Sequence, residues 1–353
     1  MRFNQVIKLG NYTISRDSKV FIIAEAGVNH NGSVKIAKKM VDAAKNAGAD
    51  AIKFQAFNAK LLVSAFAPKA EYQKNVTDRN ETQLEMLKKL ELAAGEFKNI
   101  AGYAKKKNIL FLSSPFDKES VDMLDKIGIK AFKIASGEIT NLPLLKYIAG
   151  KGRPIILSTG MSNLKEISEA LRVIRQEGVK DVILLHCVTS YPACIEDVNL
   201  RAIETMRRFF KLPVGFSDHT TGFTASIAAA ALGASVIEKH FTLDKNMPGP
   251  DHKVSLNPKE LKEMITVVRD TENALGDGKK NPTKEEDIIK DIARKKIVAK
   301  IDIPRGGFIS NDMLDFKRAC GKGISPKHID LVIGRKAKKD IDKDNAIMWN
   351  ILK

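Results

Sequence analysis

"GFSDHTTGFTASIAAAALGASVIEKHFT", residues 215–242, reads as a strand, a helix and a second strand. The first apolar run ends at His219 and the second at His240. Between them lies a segment of almost nothing but Ala, Ile and Gly, whose small side chains let a helix lie close against a sheet. Runs of about 4–8 residues that are apolar throughout suit strands buried on both faces, as in parallel sheets.

The same unit recurs on either side. "VFIIAE", "DAIKFQ", "ILFLSS", "AFKIAS", "PIILST" and "VILLHC" alternate with helically spaced stretches such as "SVKIAKKMVDAAKNAG" and "LKEISEALRVIRQEG". Several of these stretches end in Gly, a common residue just past the last helical turn. Eight strands are predicted, near residues 20–25, 50–55, 109–113, 131–136, 154–158, 182–187, 213–218 and 235–241. That count and size predict a (β/α)8 TIM barrel. A doubly wound sheet is the alternative, but "AEAGVNHNG" (24–32) after the first strand is not the glycine-rich GxGxxG loop such folds carry. A long insert near 56–95 follows the second strand and is predicted to sit on the catalytic face. The pattern stops at "ENALGDGKKNPTKEED" (272–287), where Gly, Pro and charge cluster. The expected organisation is a barrel over 1–278, a linker over 279–290 and a small β-rich domain over 291–353.

Composition narrows the function. With 44% hydrophobic residues the 353-residue chain can bury a sizeable core. No stretch approaches the run of about 18 apolar residues that spans a bilayer, and the N-terminus lacks an apolar signal core, so a cytoplasmic protein off the membrane is expected. The three cysteines, Cys187, Cys194 and Cys320, are too scattered for a disulfide framework. The net charge of +17 is spread along the chain, without aromatic-interleaved basic motifs. This fits an anionic small substrate better than nucleic acid.

Barrel enzymes build their sites from the C-terminal ends of the strands. In order, those ends offer Glu25 with Asn29 and His30; Lys53 and Gln55; Ser113 and Ser114; Lys133, Ser136 and Glu138; Ser158 and Thr159; His186 with Tyr191; Ser217, Asp218 and His219; and Glu238 and His240, followed by Asp251 and His252. Lysines inside apolar strands are costly to bury alone. Two readings of Lys53 and Lys133 stand: internal salt bridges with Glu25 or Glu138, or a pocket for phosphate or carboxylate with serine hydroxyls as directed donors. His219 and His240, at the ends of neighbouring strands, are either a pair of metal ligands or ordinary core and loop histidines. Glu238, sharing a face with His240, is a further ligand or a partner for a lysine.

Eight motifs in register give the chain a family likeness: "AEAGVNHNG", "IKFQ", "KIASGEITNLPLL", "ILSTGM", "LLHCVTSYPACIEDVNLRAI", "GFSDHTTG", "VIEKHFT" and "PGPDHKVSL". Together they resemble the sialic acid synthase family, and the tail from "KIVAKIDIPRGGFISNDML" to "LVIGRKA" looks like its antifreeze-protein-like (SAF) domain. The resemblance implies condensation of phosphoenolpyruvate with an N-acetylated hexosamine to a nonulosonic acid, with loss of phosphate by C–O cleavage. It implies that Lys53, Ser114, Lys133, Ser136, Ser158 and Ser217 hold phosphoenolpyruvate. It implies His219 and His240 as ligands of a divalent metal, Mn2+ with Mg2+ or Co2+ as alternatives. Glu25, Glu138, Lys53 and Lys133 are then the catalytic residues, and Gln55, Tyr191, Asp251 and Arg318 the sugar-side residues. A domain-swapped homodimer is implied, in which Arg318 reaches the sugar's acyl group; here Ala319 and Cys320 replace the usual Pro and Gly of that loop. The first expectation for the sugar is N-acetylmannosamine, giving N-acetylneuraminate. The alternative is N,N'-diacetyllegionaminate from 2,4-diacetamido-2,4,6-trideoxymannose, since "AIKFQAF" (51–57) and "APKAEYQ" (67–73) look at least as similar to legionaminic acid synthases. A remoter alternative is a non-catalytic sugar- or polyanion-binding barrel.

Overall fold

Two three-residue strands, β1 (Ile7–Leu9) and β2 (Tyr12–Ile14), form an antiparallel hairpin before the first predicted strand. They are too short to show as alternation in the sequence. Their Ile7, Leu9 and Ile14 are buried against Phe21, Ile23 and Val236 of the strands that follow. The hairpin thus packs on the N-terminal half of the barrel interior and leaves the C-terminal ends of the strands for the site. The computed structural model describes residues 3–70, 74, 77, 78 and 80–353.

Eight parallel strands follow: β3 (Phe21–Gly27), β4 (Ala51–Ala56), β5 (Leu110–Pro115), β6 (Phe132–Ile134), β7 (Ile155–Ser158), β8 (Val182–Cys187), β9 (Val214–Asp218) and β10 (Val236–His240). They form one sheet in the order β5-β4-β3-β10-β9-β8-β7-β6, so the first and last strands pair and β5 lies beside β6. This is the (β/α)8 barrel expected from the sequence, with each strand within two residues of its predicted bounds.

Helices alternate with the strands, and their ends are set by local chemistry. Ser33 caps Val34–Ala47 by accepting from the Ile36 amide, and Gly48 in the left-handed region ends it. The alanine-rich helix Thr224–Ala231 packs on β9 and on the helix Pro258–Leu275, as small side chains permit. Among its described residues the insert after β4 carries two short helices, Ala59–Leu62 and Gln83–Lys88, the second held by a Thr82–Glu85 capping box. Of the stretch "APKAEYQ", Glu71, Tyr72 and Gln73 lie outside the described residues.

The chain divides into Met1–Gly276 and Asp277–Lys353. In the second unit, β11 (Lys296–Ala299) pairs antiparallel with β12 (Leu314–Lys317) over a core that includes Ile297, Ile303, Ile309 and Ile347. The stretch 279–290, expected as a linker, contains most of the helix Lys284–Ala293, begun by a Thr283–Glu286 capping box.

Candidate active site

Side chains alternate across a strand, so every second residue enters the barrel. On β3 those residues run Phe21, Ile23, Glu25; on β4, Ala51, Lys53, Gln55; on β10, Val236, Glu238, His240. Apolar residues come first and charged ones last, so a buried polar layer forms above the apolar one. Gly215 on β9 keeps that interior closed-packed: a Cβ there would lie 2.4 Å from the Val236 carbonyl oxygen.

Two lysines and two glutamates occupy the layer. Lys53 Nζ lies 2.9 Å from Glu25 Oε2 and 3.7 Å from Glu238 Oε2, and donates to Ser114 Oγ at 3.3 Å. Lys133 Nζ lies 3.3 Å from Glu238 Oε1 and donates to Ser158 Oγ at 2.7 Å. Ser217 donates to Glu238 Oε1 at 2.9 Å. All of these side chains are buried. Burial acts to raise both carboxyls, with unequal results. Glu238 stands between Lys133 and Lys53, which outweigh burial and hold it down at about 2. Glu25 has Lys53 alone close by, and burial wins, pushing it up to about 7. The unequal lysine contacts therefore set the two carboxyls apart, Glu238 held low and Glu25 pushed high.

The salt-bridge reading of the lysines thus holds for Glu25, whereas Glu138 takes no part. Glu138 is half-buried in the helical turn after β6 and accepts from Asn141 Nδ2 at 2.7 Å. Glu238 takes the place expected for it. Ser136 starts the same turn; its Oγ accepts the Gly160 amide at 3.0 Å and lies 3.0 Å from Cys187 Sγ. Gly160 is required there, because a Cβ would come within 2.9 Å of Ser136 Oγ and 2.8 Å of Cys187 Sγ.

The two histidines also come together, their ring centroids 5.5 Å apart. Burial keeps both neutral: His219 falls to about 4 and His240 lies well below its ordinary value, its neighbour His219 adding to the effect. His219 Nδ1 lies 2.8 Å from the Val188 carbonyl oxygen. A carbonyl only accepts, so the ring proton is on Nδ1 and Nε2 carries the lone pair. Tyr191 donates its hydroxyl to that Nε2 at 3.2 Å and stacks within 4.3 Å of the His219 ring. His240 Nδ1 is buried without a hydrogen-bond partner. Neutral imidazoles, one oriented by a backbone carbonyl and the other with an orphaned nitrogen, are the donor set a divalent metal takes. Among the described residues no three His, Cys, Asp or Glu side chains gather round one point, so any such ion would keep open positions.

Of the remaining expected residues, Gln55 Nε2 reaches Glu25 Oε1 at 3.4 Å. Asp251 is buried in the loop after β10, and burial pushes its carboxyl up to about 6. Arg318, in the second unit, is exposed and donates from Nε to the Ala293 carbonyl. Parity corrects three of the strand-end residues. His186 points out of the barrel, 2.7 Å from the Val198 carbonyl oxygen, and Cys187 takes the inward place. Ser113 and Thr159 spend their hydroxyls on the Phe54 and Leu185 carbonyls. Sequence reasoning missed the buried Lys239–Asp218 pair, at 3.1 Å, which lies behind the site with Ser226 and Thr220 on Asp218. Its signal was present, since Lys239 has the outward parity between Glu238 and His240.

Paired lysines, carboxylates and neutral histidines at the C-terminal end of an eight-stranded barrel stand where barrel enzymes build their sites. Residues 40–280 match the NeuB family and residues 294–353 the SAF domain. The chain is 52% identical over 331 residues to the N,N'-diacetyllegionaminic acid synthase of Campylobacter jejuni, covering 93% of this chain and 99% of that protein. It is 36% identical to the N-acetylneuraminate-9-phosphate synthase of Homo sapiens, over 94% of this chain and 92% of that one. Among solved structures, the N-acetylneuraminic acid (sialic acid) synthetase of Leptospira borgpetersenii superposes with a TM-score of 0.71 at 38% identity, covering 82% of this chain and 96% of that one. The chain belongs to the NeuB family and is an enzyme of the sialic, legionaminic and pseudaminic acid synthase type.

Proposed function

We propose that this enzyme condenses phosphoenolpyruvate with 2,4-diacetamido-2,4,6-trideoxymannose to give N,N'-diacetyllegionaminate and phosphate. The observation that carries the reaction is the buried layer of Lys53, Lys133, Glu25 and Glu238 beneath two neutral histidines. The choice of sugar is supported by identity. Two N,N'-diacetyllegionaminic acid synthases are 52% and 44% identical, against 36% and 37% for the two N-acetylneuraminate-9-phosphate synthases. N-acetylmannosamine, the first expectation from sequence, is the second reading.

In this reading Lys53 and Lys133 meet the phosphate and carboxylate of phosphoenolpyruvate, with Ser114, Ser136 and Ser158 as directed donors and Ser217 turning from Glu238 to join them. A bond forms between C3 of phosphoenolpyruvate and the aldehyde carbon of the open-chain sugar. The aldehyde oxygen takes up a proton, water adds to C2, and the C2–O bond breaks to release phosphate. Glu25 accepts a proton from the attacking water, a role its place in the polar layer and its raised proton affinity suit. Gln55, Tyr191 and Asp251 orient the sugar. His219 and His240 would hold a divalent ion, Mn2+ by expectation, which when bound supplies Lewis acidity at the sugar carbonyl. The swapped homodimer, and Arg318 at the acyl group, belong to this proposal on resemblance alone.

Phosphate release from phosphoenolpyruvate with Mn2+ tests it. The diacetamido sugar is expected to exceed N-acetylmannosamine in kcat/KM by about a hundredfold, because a site built for a second acetamido group leaves polar atoms unpaired without it. Equal or better turnover of N-acetylmannosamine would overturn the choice of sugar, and no release with either would overturn the reaction. A second expectation separates the two candidate bases. Glu25→Gln should cut kcat about a hundredfold with the KM for phosphoenolpyruvate little changed, while Glu138→Gln stays within severalfold of the parent. The reverse result would move the base to Glu138.

A further inference from the structure

The loop between β10 and the helix Pro258–Leu275 carries Asp251, and its two ends are zipped together. Thr242 N–H donates to the Leu256 carbonyl and Leu256 N–H to the His240 carbonyl. The tip, "PGPD" (248–251), cannot be held in the same way, because Pro248 and Pro250 have no N–H. Side chains hold it instead. Asn31 Nδ2 donates to the Pro248 carbonyl at 2.8 Å, and Asn31 Oδ1 lies 3.1 Å from His252 Nε2. The carbonyl of Pro248 fixes which end of the Asn31 amide faces it, so Oδ1 must accept from a protonated His252 Nε2. His252 Nδ1 then accepts from the Thr242 hydroxyl at 2.6 Å. One neutral tautomer satisfies both bonds, and burial, the main influence on His252, favours the neutral ring. Gly249 lies against this pair: a Cβ would be 2.8 Å from His252 Cδ2 and 3.0 Å from Asn31 Oδ1. On the other flank Asn29 Nδ2 donates to Ser255 Oγ, and Ser255 donates to the Asp251 carbonyl.

These bonds fix the backbone on both sides of Asp251 and leave its carboxyl to no protein donor among the described residues. Such a carboxyl is costly to bury unless a ligand meets it. Asn31 and the tip residues Pro248, Gly249 and Pro250 also line an open cavity of about 360 Å³ together with Met86, Lys89 and Leu90 of the insert. We propose that Asn31 and His252 form a clasp that positions the Asp251 carboxyl for the hydroxyl or amide groups of the sugar substrate. They are positioning residues for sugar recognition rather than contacts to it. This rests on the reading of Asp251 as a sugar-side residue.

The test is steady-state kinetics with whichever hexosamine supports phosphate release, on Asn31→Asp and Gly249→Ala. The first keeps the acceptor for His252 and removes the donor to Pro248; the second keeps every clasp side chain and displaces them. Each is expected to raise the KM for the sugar about tenfold, the worth of one charge-assisted hydrogen bond, and to leave the KM for phosphoenolpyruvate within about twofold. In an Asp251→Asn background, Asn31→Asp should add no further rise, because both act through the same carboxyl. Full additivity, or an equal rise in both KM values, would reduce the clasp to a purely structural part and overturn the proposal. A raised sugar KM in Asp251→Asn with both clasp variants unchanged would overturn the clasp alone. An unchanged sugar KM in Asp251→Asn would remove Asp251 from the sugar site and the clasp's purpose with it. If Asn31→Asp fails to fold, Gly249→Ala decides between these outcomes.

Discussion

Lys133→Met is expected to lower kcat/KM for phosphoenolpyruvate by about a thousandfold, since removing one partner of a buried charge pair in a ligand site costs about 2–5 kcal/mol. Lys133 is the ammonium whose surroundings leave it most available to an anion. It holds Ser158 at 2.7 Å and shares Glu238 with Lys53, whereas Lys53 is already within 2.9 Å of Glu25. The same substitution should destabilise the fold, because Glu238 loses a counter-charge while buried. Removing one partner of a buried pair typically costs about 3–5 kcal/mol. The lower end applies here, since Lys53 and the Ser217 hydroxyl still face Glu238. Pairing Lys133→Met with Glu238→Gln separates the two effects. The double variant should recover most of the lost stability in a urea titration and none of the lost activity. Phosphate release near the parent rate in Lys133→Met would remove Lys133 from the substrate site. Recovery of activity in the double variant would make Lys133 a structural counter-ion only.

How far this site could be read from sequence depended on the period of two. The eight strands were legible because strands buried on both faces are apolar throughout and end in polar residues. Lys53 and Lys133 stood out for the same reason, as charges inside such runs. Partners were harder, because parity names the face and not the neighbour. Glu138 looked closer to Lys133 than Glu238 does, yet β6 ends at Ile134, and the turn after it carries Glu138 towards Asn141. Glu238, more than a hundred residues from Lys133 in sequence, reaches it because the barrel brings inward side chains together across its interior. His186 stands near the end of β8 in sequence, but Leu185 and Cys187 carry the inward parity there. The hairpin of β1 and β2 was illegible because three residues give no measurable alternation. The clasp on Asp251 was illegible for another reason: its members come from opposite ends of the barrel sequence and meet only because β3 pairs with β10.

Chelation is expected to abolish turnover by at least about a hundredfold, with recovery on adding back Mn2+, and His240→Ala is expected to be inactive whether or not metal is supplied. Two features support this, and a third supplies a test. The two imidazoles are neutral through burial, so neither must shed a proton to donate a lone pair. His219 is turned by the Val188 carbonyl so that Nε2 faces the interior, the arrangement in which a ligating histidine gives its other N–H to a backbone acceptor. The Tyr191 hydroxyl occupies that Nε2 at 3.2 Å, so it must give way when an ion binds there. This last point gives a readout that does not depend on activity. Tyr191→Phe should bind Mn2+ at least as tightly as the parent, because no hydroxyl competes for the lone pair, while His240→Ala should lose binding in the same titration. If His240→Ala binds the ion as the parent does, the histidines are not its ligands. If the chelated enzyme turns over at the parent rate, proton transfer and the paired lysines carry the reaction alone, and the two imidazoles are then left as neutral hydrogen-bonding groups facing the sugar.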